Sequence, residues 1–265
     1  TRAAKGRQDM KLTEILGRDR PSISFEVFPP KANTAFESVQ RAAEQIAALH
    51  PAFMSVTYGA GGGTSAYTLE IARSIRARCG VEMVAHLTCV SSTRETVRAR
   101  IEAMHEAGVE NVLALRGDLP AELAGADRSA WPYRYATDLI GDLRASGYGF
   151  CIGAACYPEV HPESANQRED IRRLKEKVDA GCSFLTTQMF FDNGLLYNFL
   201  YKIREAGITV PVIAGIMPIT SATQIERAIR LSGSHMPRRF ISQHTSISED
   251  RTSASAPRLS ISRRT

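Results

Sequence analysis

The stretch Ser22-Ile-Ser-Phe-Glu-Val-Phe-Pro-Pro30 has the pattern of one β-strand that two prolines terminate. Side chains alternate along a strand, so Glu26 shares a face with the serines, whereas Ile23, Phe25 and Val27 share the other face. Glu26 therefore lies near the carboxyl end of an apolar strand, where a carboxyl group is costly to bury without a partner or a function. Taken alone, the stretch is better explained by a glutamate that reaches solvent or an ion pair.

Six further apolar segments follow along the chain, and a helix-like segment comes after each of them. Gly108, Gly181 and Gly207, each preceded by Ala, end three of these helices just before a strand. This regular alternation predicts parallel βαβ units and a (β/α)₈ TIM barrel. The alternative is a doubly wound open sheet, but its G-x-G-x-x-G phosphate fingerprint does not follow the first strand. The segments expected as strands are 22–30, 53–59, 84–89, 111–117, 150–157, 184–190 and 212–217.

The sequence predicts three regions. Residues 1–21 are expected to form an N-terminal extension with a lead-in helix, residues 22–233 the barrel, and residues 234–265 a disordered tail rich in Ser and Arg. The tail contains no recognisable eighth strand, so the barrel is expected to be incomplete and to keep open edges. The gap could be closed by a cryptic strand or by oligomerisation, or the carboxyl terminus could be truncated or altered.

Composition places the chain among ordinary soluble proteins. Of its 265 residues, 43% are hydrophobic and 23% charged, and no apolar run approaches the roughly 20 residues of a membrane span. The five cysteines lack C-x-x-C spacing, which favours reduced thiols in a cytoplasmic protein over disulfides or a metal site. Six arginines against two acids in residues 234–265 account for +4 of the net charge of +5. The body of the protein therefore has no charge typical of a nucleic-acid partner, and no signal peptide or membrane partner is expected.

Polar and ionisable residues follow six consecutive apolar strands at the same end. In a barrel these carboxyl ends meet at one rim, where such enzymes carry their chemistry. Each residue has a simpler explanation by itself, such as a core imidazole, a local Arg116–Asp118 ion pair or a core amide. A shared site explains all of them together. The residues are Glu26, Thr57, Tyr58, His86, Thr88, Arg116, Asp118, Tyr157 and Gln188.

The two carboxylates have different surroundings. Glu26 is flanked by Phe25 and Phe28, so desolvation should raise its pKa and let it hold a proton near neutrality. Asp118 lies in a turn after Arg116 and should remain ionised, as an electrostatic stabiliser. The charged helix expected over residues 166–180 is either a solvated face or a holder of a diphosphate.

Eight ordered motifs resemble those of the 5,10-methylenetetrahydrofolate reductase family, over residues 22–231. Together they are highly specific, although none would suffice alone. The motifs are Phe25-Glu-Val-Phe-Pro-Pro30, Ser55-Val-Thr-Tyr-Gly-Ala-Gly61, Ala85-His-Leu-Thr-Cys89, Asn111-Val-Leu-Ala-Leu-Arg-Gly-Asp118, Tyr157-Pro-Glu-Val-His-Pro162, Lys175-Glu-Lys-Val-Asp-Ala-Gly181, Thr187-Gln-Met-Phe-Phe-Asp192 and Gly215-Ile-Met-Pro218.

The resemblance implies an FAD-dependent barrel that reduces 5,10-methylenetetrahydrofolate to 5-methyltetrahydrofolate by ping-pong hydride transfer from NADH or NADPH, in the one-carbon metabolism that supplies methionine. A homo-oligomer is expected as well. By motif position, Glu26 is the general acid for N10 of the folate, Asp118 contacts the pterin and tunes the flavin, Gln188 binds the pterin, and Thr57 lies near the flavin N5. The residues implied to bind the cofactor are Thr57, Tyr58, Ala60, His86, Arg116, Gly117, Asp118, Ala136, Tyr157, His161, Asp170 and Lys177.

The chain also departs from the family pattern. Gly63 replaces the usual Ser of a G-G-S-T run, Ala228 stands where some relatives have an aromatic residue, and the family's H-F-Y-T-L-N-like last strand is missing. One alternative function is therefore a truncated, catalytically impaired barrel fragment that acts at most as a binding protein. A flavin-free barrel lyase or aldolase is disfavoured, because no strand carries a clear Schiff-base lysine.

Overall fold

Seven parallel strands, each paired with the next in chain order, form one curled sheet in a computed structural model of the protein. The structure describes residues 10–17, 21–30, 36–58, 65–119, 121–123, 125–238 and 240–242. The strict order from first to seventh strand excludes the doubly wound sheet, whose order reverses at a switch point, and confirms the incomplete (β/α)₈ barrel. The strands are β1 (Ser24–Val27), β2 (Phe53–Val56), β3 (Met83–Thr88), β4 (Asn111–Leu115), β5 (Cys151–Cys156), β6 (Phe184–Thr187) and β7 (Val212–Ile213).

Helices cover the outer face of the sheet. Between the sheet and α4 to α7 lies a buried cluster that includes Leu87, Val112, Ile152 and Leu185, so one face of each strand is apolar throughout. In the described residues none of the helices is long and apolar enough to cross a membrane. The helices are α1 (Leu12–Leu16), α2 (Phe36–Ala47), α3 (Ser65–Cys79), α4 (Arg94–Glu106), α5 (Ala136–Ala145), α6 (Gln167–Asp179), α7 (Asn193–Glu205) and α8 (Ala222–Ser232).

The amino end of the barrel is closed by α1. Leu12, which is fully buried, packs with Phe53, Val84 and Phe184 from the inner faces of the strands. The backbone N–H of Leu12 donates a 2.7 Å hydrogen bond to Oδ1 of Asn111, which is itself fully buried. The chemistry of the inner face is therefore left to the opposite, carboxyl end.

The strands end earlier than the sequence pattern predicts. β2 stops at Val56 and β6 at Thr187, so Thr57, Tyr58 and Gln188 lie just beyond the paired segments. β7 has two paired residues, because its pairing with β6 covers only that length. Thr57, Tyr58 and Gln188 are consequently carried on loops that leave the sheet, whereas Glu26 and His86 lie on β1 and β3 themselves.

The gap lies between β1 and β7. Within the described residues neither strand pairs on its outer side, and Ile23 and Phe25 are 68% and 37% exposed. The first residues after α8 contact the barrel: Ser234 donates a 2.7 Å hydrogen bond to the carbonyl of Met189, and Met236 is buried. The boundary expected at residue 233 stays a prediction. Most of the tail, residues 243–265, lies outside the described residues, so the disorder expected there stays a prediction too.

Candidate active site

A cavity of about 960 Å³ opens at the carboxyl ends of the strands. This volume is at the upper end of the range for small-molecule sites in proteins. A second cavity of about 650 Å³ lies beside β1 at the amino end and is lined largely by apolar side chains. Ala60 lies outside the described residues. All the other site residues expected from the sequence line the larger cavity, namely Glu26, Thr57, Tyr58, His86, Arg116, Gly117, Asp118, Ala136, Tyr157, His161, Asp170, Lys177 and Gln188.

Glu26 and His86 bring two ionisable groups close together in the cavity. Nε2 of His86 lies 3.9 Å from Oε2 of Glu26, which is too long for a hydrogen bond. Burial lowers the pKa of His86 to about 4 and raises the pKa of Glu26, although 42% of the glutamate side chain remains accessible through the cavity. Both shifts favour the uncharged forms, and a His86 with a pKa of about 4 is neutral at pH 7, so the pair is not a salt bridge.

Two buried polar atoms at this end lack a hydrogen-bond partner among the described residues. They are Nε2 of His86 and Oη of Tyr58, on side chains that are less than a tenth exposed. Arg100 covers the Tyr58 ring, with its guanidinium carbon 5.4 Å from the ring centroid. Leaving such atoms unpaired costs about 1–3 kcal/mol each, so the cavity fits a ligand that supplies their missing partners.

Arg116 is held by a carboxylate that sequence reasoning missed. Its terminal nitrogens donate to both oxygens of Glu163 at 2.7 and 2.6 Å, and Arg128 donates to the same carboxylate at 3.0 Å. The two guanidinium groups lower the pKa of Glu163 to about 2. Arg116 is thus not paired with Asp118, which is exposed, as the local ion pair considered from the sequence would require. Glu163 directly follows the motif that runs from Tyr157 to Pro162, and this position is the feature of the sequence that could have identified it.

The loop after β5 is braced by its own polar groups. The His161 ring packs edge-on against Tyr157 at 4.6 Å, and its Nδ1 accepts a 3.0 Å hydrogen bond from the backbone N–H of Glu163. The backbone N–H of His161 donates to Asp170 at 3.1 Å. Burial raises the pKa of Tyr157 to about 12 and lowers the pKa of His161, so both rings are neutral near pH 7. The loop therefore presents neutral rings beside the charged Arg116.

Helix α6 is part solvated face and part cavity wall. Arg172 pairs with Glu176 and Lys175 pairs with Asp179, as i, i+4 contacts outside the cavity. Lys177 instead points inward and donates a 2.9 Å hydrogen bond to the carbonyl of Ala155, and desolvation lowers its pKa. The solvated face expected from the sequence is therefore present on one side of the helix, whereas its role as the holder of a diphosphate stays a prediction.

The contact between Arg173 and Tyr135 is a second feature of the site that the sequence did not indicate. The Arg173 guanidinium carbon lies 4.3 Å from the Tyr135 ring centroid, and one terminal nitrogen donates to the hydroxyl at 3.2 Å. Both residues line the cavity. The contact joins the loop before α5 to α6, which are far apart in sequence, so no local pattern could have shown it.

Gln188 presents one end of its amide to the cavity. Its Oε1 accepts a 2.8 Å hydrogen bond from the backbone N–H of Met189, and its own backbone N–H donates to the carbonyl of Cys156 at 2.8 Å. The side-chain NH₂ remains as the group that can bind a ligand acceptor. Among the described residues there is no cluster of three or more side chains suited to a metal ion.

A parallel barrel with acid, imidazole, amide and guanidinium groups at the carboxyl ends of its strands defines the class of (β/α)-barrel enzymes. Residues 11–259 match the family model described as "Methylenetetrahydrofolate reductase". The chain belongs to this family, and its relatives are oxidoreductases.

Named relatives support this assignment. The chain is 36% identical over 229 residues to a 5,10-methylenetetrahydrofolate reductase of Pectobacterium carotovorum, which covers 86% of this chain and 74% of the relative. It is 37% identical over 222 residues to a methylenetetrahydrofolate reductase (NADH) of Zea mays, covering 80% of this chain and 37% of that protein. A solved Clostridium thermocellum protein, described as binding two copies of 5-methyl-5,6,7,8-tetrahydrofolic acid, has a TM-score of 0.60 at 16% identity, covering 89% of this chain and 79% of that one. At that identity the likeness concerns the fold alone.

Proposed function

We propose that this protein reduces 5,10-methylenetetrahydrofolate to 5-methyltetrahydrofolate, with NADH or NADPH as the electron donor and FAD as the cofactor. The observation that carries the proposal is the meeting of Glu26, His86, Arg116 and Gln188 in one cavity at the carboxyl end of the barrel. Family membership supplies the reaction, and the cavity supplies groups suited to it.

The residues present fit an FAD. The unpartnered Nε2 of His86 and Oη of Tyr58 can bond to a polar ring system, and their burial matches the dry site that such a ring needs. Arg116 and Lys177 line the cavity wall toward α6, and the N–H groups that their protein partners leave open can donate to a diphosphate. We propose that these four residues hold the cofactor, together with the neutral rings of Tyr157 and His161.

When bound, FAD supplies a carrier that accepts a hydride from NADH or NADPH and delivers it to the one-carbon unit of the folate, in a ping-pong cycle. Glu26 holds the proton that the chemistry consumes. Desolvation raises the pKa of Glu26, which makes its carboxyl group a better holder of a proton than a free glutamate, and the neutral His86 does not act as a second acid. Glu26 donates this proton to N10 of the folate as the five-membered ring opens.

Asp118, Gln188 and Thr57 are proposed to orient the reactants. Asp118 is exposed at the rim after β4 and carries the negative charge that contacts the pterin. The free NH₂ of Gln188 donates to the pterin from the other side of the cavity. Thr57 is fixed by its backbone, since its N–H donates to the carbonyl of Val27 at 3.0 Å and its carbonyl accepts from Thr68 at 2.9 Å. We further propose a cytoplasmic homo-oligomer.

An absorbance spectrum followed by an anaerobic titration tests the proposal. The purified protein should be yellow, or become so with added FAD, and its flavin band should bleach with NADH or NADPH and recover on adding methylenetetrahydrofolate. The more effective nicotinamide identifies the donor. A folded protein that takes up no flavin would contradict the proposal. It would favour the alternative of a barrel fragment without catalysis, which the unpaired edges of β1 and β7 also support.

A further inference from the structure

The cavity contains six arginine and lysine side chains within the described residues, and most of them are held by protein groups. Glu163 holds Arg116 and Arg128, and the carbonyl of Ala155 holds Lys177. The remaining three are Arg134, Arg173 and Arg227, of which the first two stack on Tyr135 and Arg173 also pairs with Glu176.

Arg227 differs from the others. It is exposed on α8, and among the described residues it has no acidic or aromatic partner. Its neighbours on the helix, Ile225 and Ala228, are buried in an apolar cluster and fix the orientation of the helix. As far as the described residues show, Arg227 is thus a cation at the β7 side of the cavity whose donors can bind a ligand.

The polarity of the lining residues changes along this side of the cavity. Gln188, with its free amide NH₂, follows β6 and is succeeded by Met189. Met217 follows β7, and Gln224 and Arg227 come next on α8. Along the chain, the polar Gln188 is therefore followed by two methionines and then by Gln224 and a cation on α8.

The proposed substrate has the same order of chemical groups. Its pterin is polar, its benzoyl ring is apolar, and its glutamate ends in two carboxylates that are ionised at neutral pH. Arginine suits a carboxylate because its planar fork can donate two parallel hydrogen bonds. We infer that Arg227 binds the glutamate carboxylates of the folate, and that Met189 and Met217 contact the benzoyl ring. This inference rests on the proposed function and makes Arg227 a specificity-determining residue.

Three substrates separate this role from a structural one: the methylene forms of tetrahydropteroate, which lacks glutamate, and of the mono- and triglutamate. For Arg227→Gln we expect the KM of both glutamate forms to rise about tenfold, which one charge-assisted hydrogen bond at a partly exposed site can supply. The kcat and the KM of the pteroate form should not change. Arg230→Gln is the matched control, because Arg230 is exposed on the same helix and does not line the cavity.

The possible results are distinguishable. If wild-type protein turns over the pteroate and glutamate forms with equal KM, or if Arg227→Gln raises the KM of all three alike, the inference is overturned while the proposed function stands. An unchanged KM of Arg227→Gln for all three substrates would likewise overturn the inference and leave the proposed function standing. If wild-type protein reduces none of the three although NADH or NADPH bleaches its flavin, the proposed function fails instead.

Discussion

At the amino end of the barrel, Asn111 is fully buried and its side chain bonds to the backbone of Leu12 and Met83. At the carboxyl end, His86 is almost as buried, yet its Nε2 has no partner among the described residues. The two side chains project from neighbouring strands, His86 from β3 and Asn111 from β4. Leu113, two residues after Asn111 on β4, is the residue that pairs with His86. Polar groups at the amino end have hydrogen-bond partners within the protein and stabilise the fold. Polar groups at the carboxyl end that lack such partners can bind a ligand.

The comparison predicts that a carboxyl-end substitution abolishes a function without loss of fold. Glu26→Gln should lower the rate of folate reduction by about 10²- to 10⁴-fold, because it removes the proton of a general acid. Flavin reduction by NADH or NADPH should continue at the wild-type rate, since it does not use that proton. Stopped-flow absorbance measures the two half-reactions separately. Folate turnover near the wild-type rate would rule out the acid role of Glu26.

An amino-end substitution should have the opposite effect. Asn111→Ala leaves the N–H of Leu12 without its side-chain acceptor, so the free energy of unfolding should fall by about 2 kcal/mol. The KM for folate should not change. Urea unfolding measures the stability, and Asn198→Ala, at an exposed position of α7, is the control with a change below about 0.5 kcal/mol. A stability equal to that of the control would mean that α1 does not close the barrel through Asn111.

His86 should make stability depend on pH. Its pKa is lowered to about 4 in the folded state, so the stabilisation is complete above the unfolded pKa of 6.5 and is lost as pH falls toward 4. The loss should be about 2 kcal/mol between pH 7.5 and pH 5. The measurement is urea unfolding at both pH values, in Glu26→Gln protein, because the raised pKa of Glu26 acts in the opposite direction. Adding His86→Asn should abolish the difference; an equal loss in both proteins would assign it to other groups.

The smallest effect is expected at the Arg116–Glu163 pair, which is partly exposed and screened by solvent. Glu163→Gln should cost about 1 kcal/mol of unfolding free energy at pH 7. Because the pKa of Glu163 is lowered to about 2, this contribution is present above the unfolded pKa of about 4.5 and disappears as pH falls from there to 2. Thermal melts at pH 7 and pH 3 check this. A cost that is the same at both pH values would contradict an ionic origin.

The local sequence pattern was enough to predict the order of strands and helices. It also predicted the end of the sheet at which Glu26, His86 and Gln188 lie together. It failed where contacts depend on residues distant in sequence. Glu163 meets Arg116 across 47 positions, and Arg173 meets Tyr135 across 38. It also overestimated β7, because a strand's length depends on how far its neighbour runs beside it, which no single segment contains. The roles of the site residues stay predictions, although the cavity brings their described members together.

By itself, the sequence determined the alternation of strands and helices, the family motifs and the place of Glu26 near the end of an apolar strand. These follow from side-chain periodicity and turn chemistry, which act over a few residues. The tertiary structure alone decided which arginines are already neutralised, which face of α6 meets the cavity, and that Arg227 remains available. Those properties depend on distances and burial between separate βα units, because an ionisable group's charge state and partner are set by what surrounds it in space.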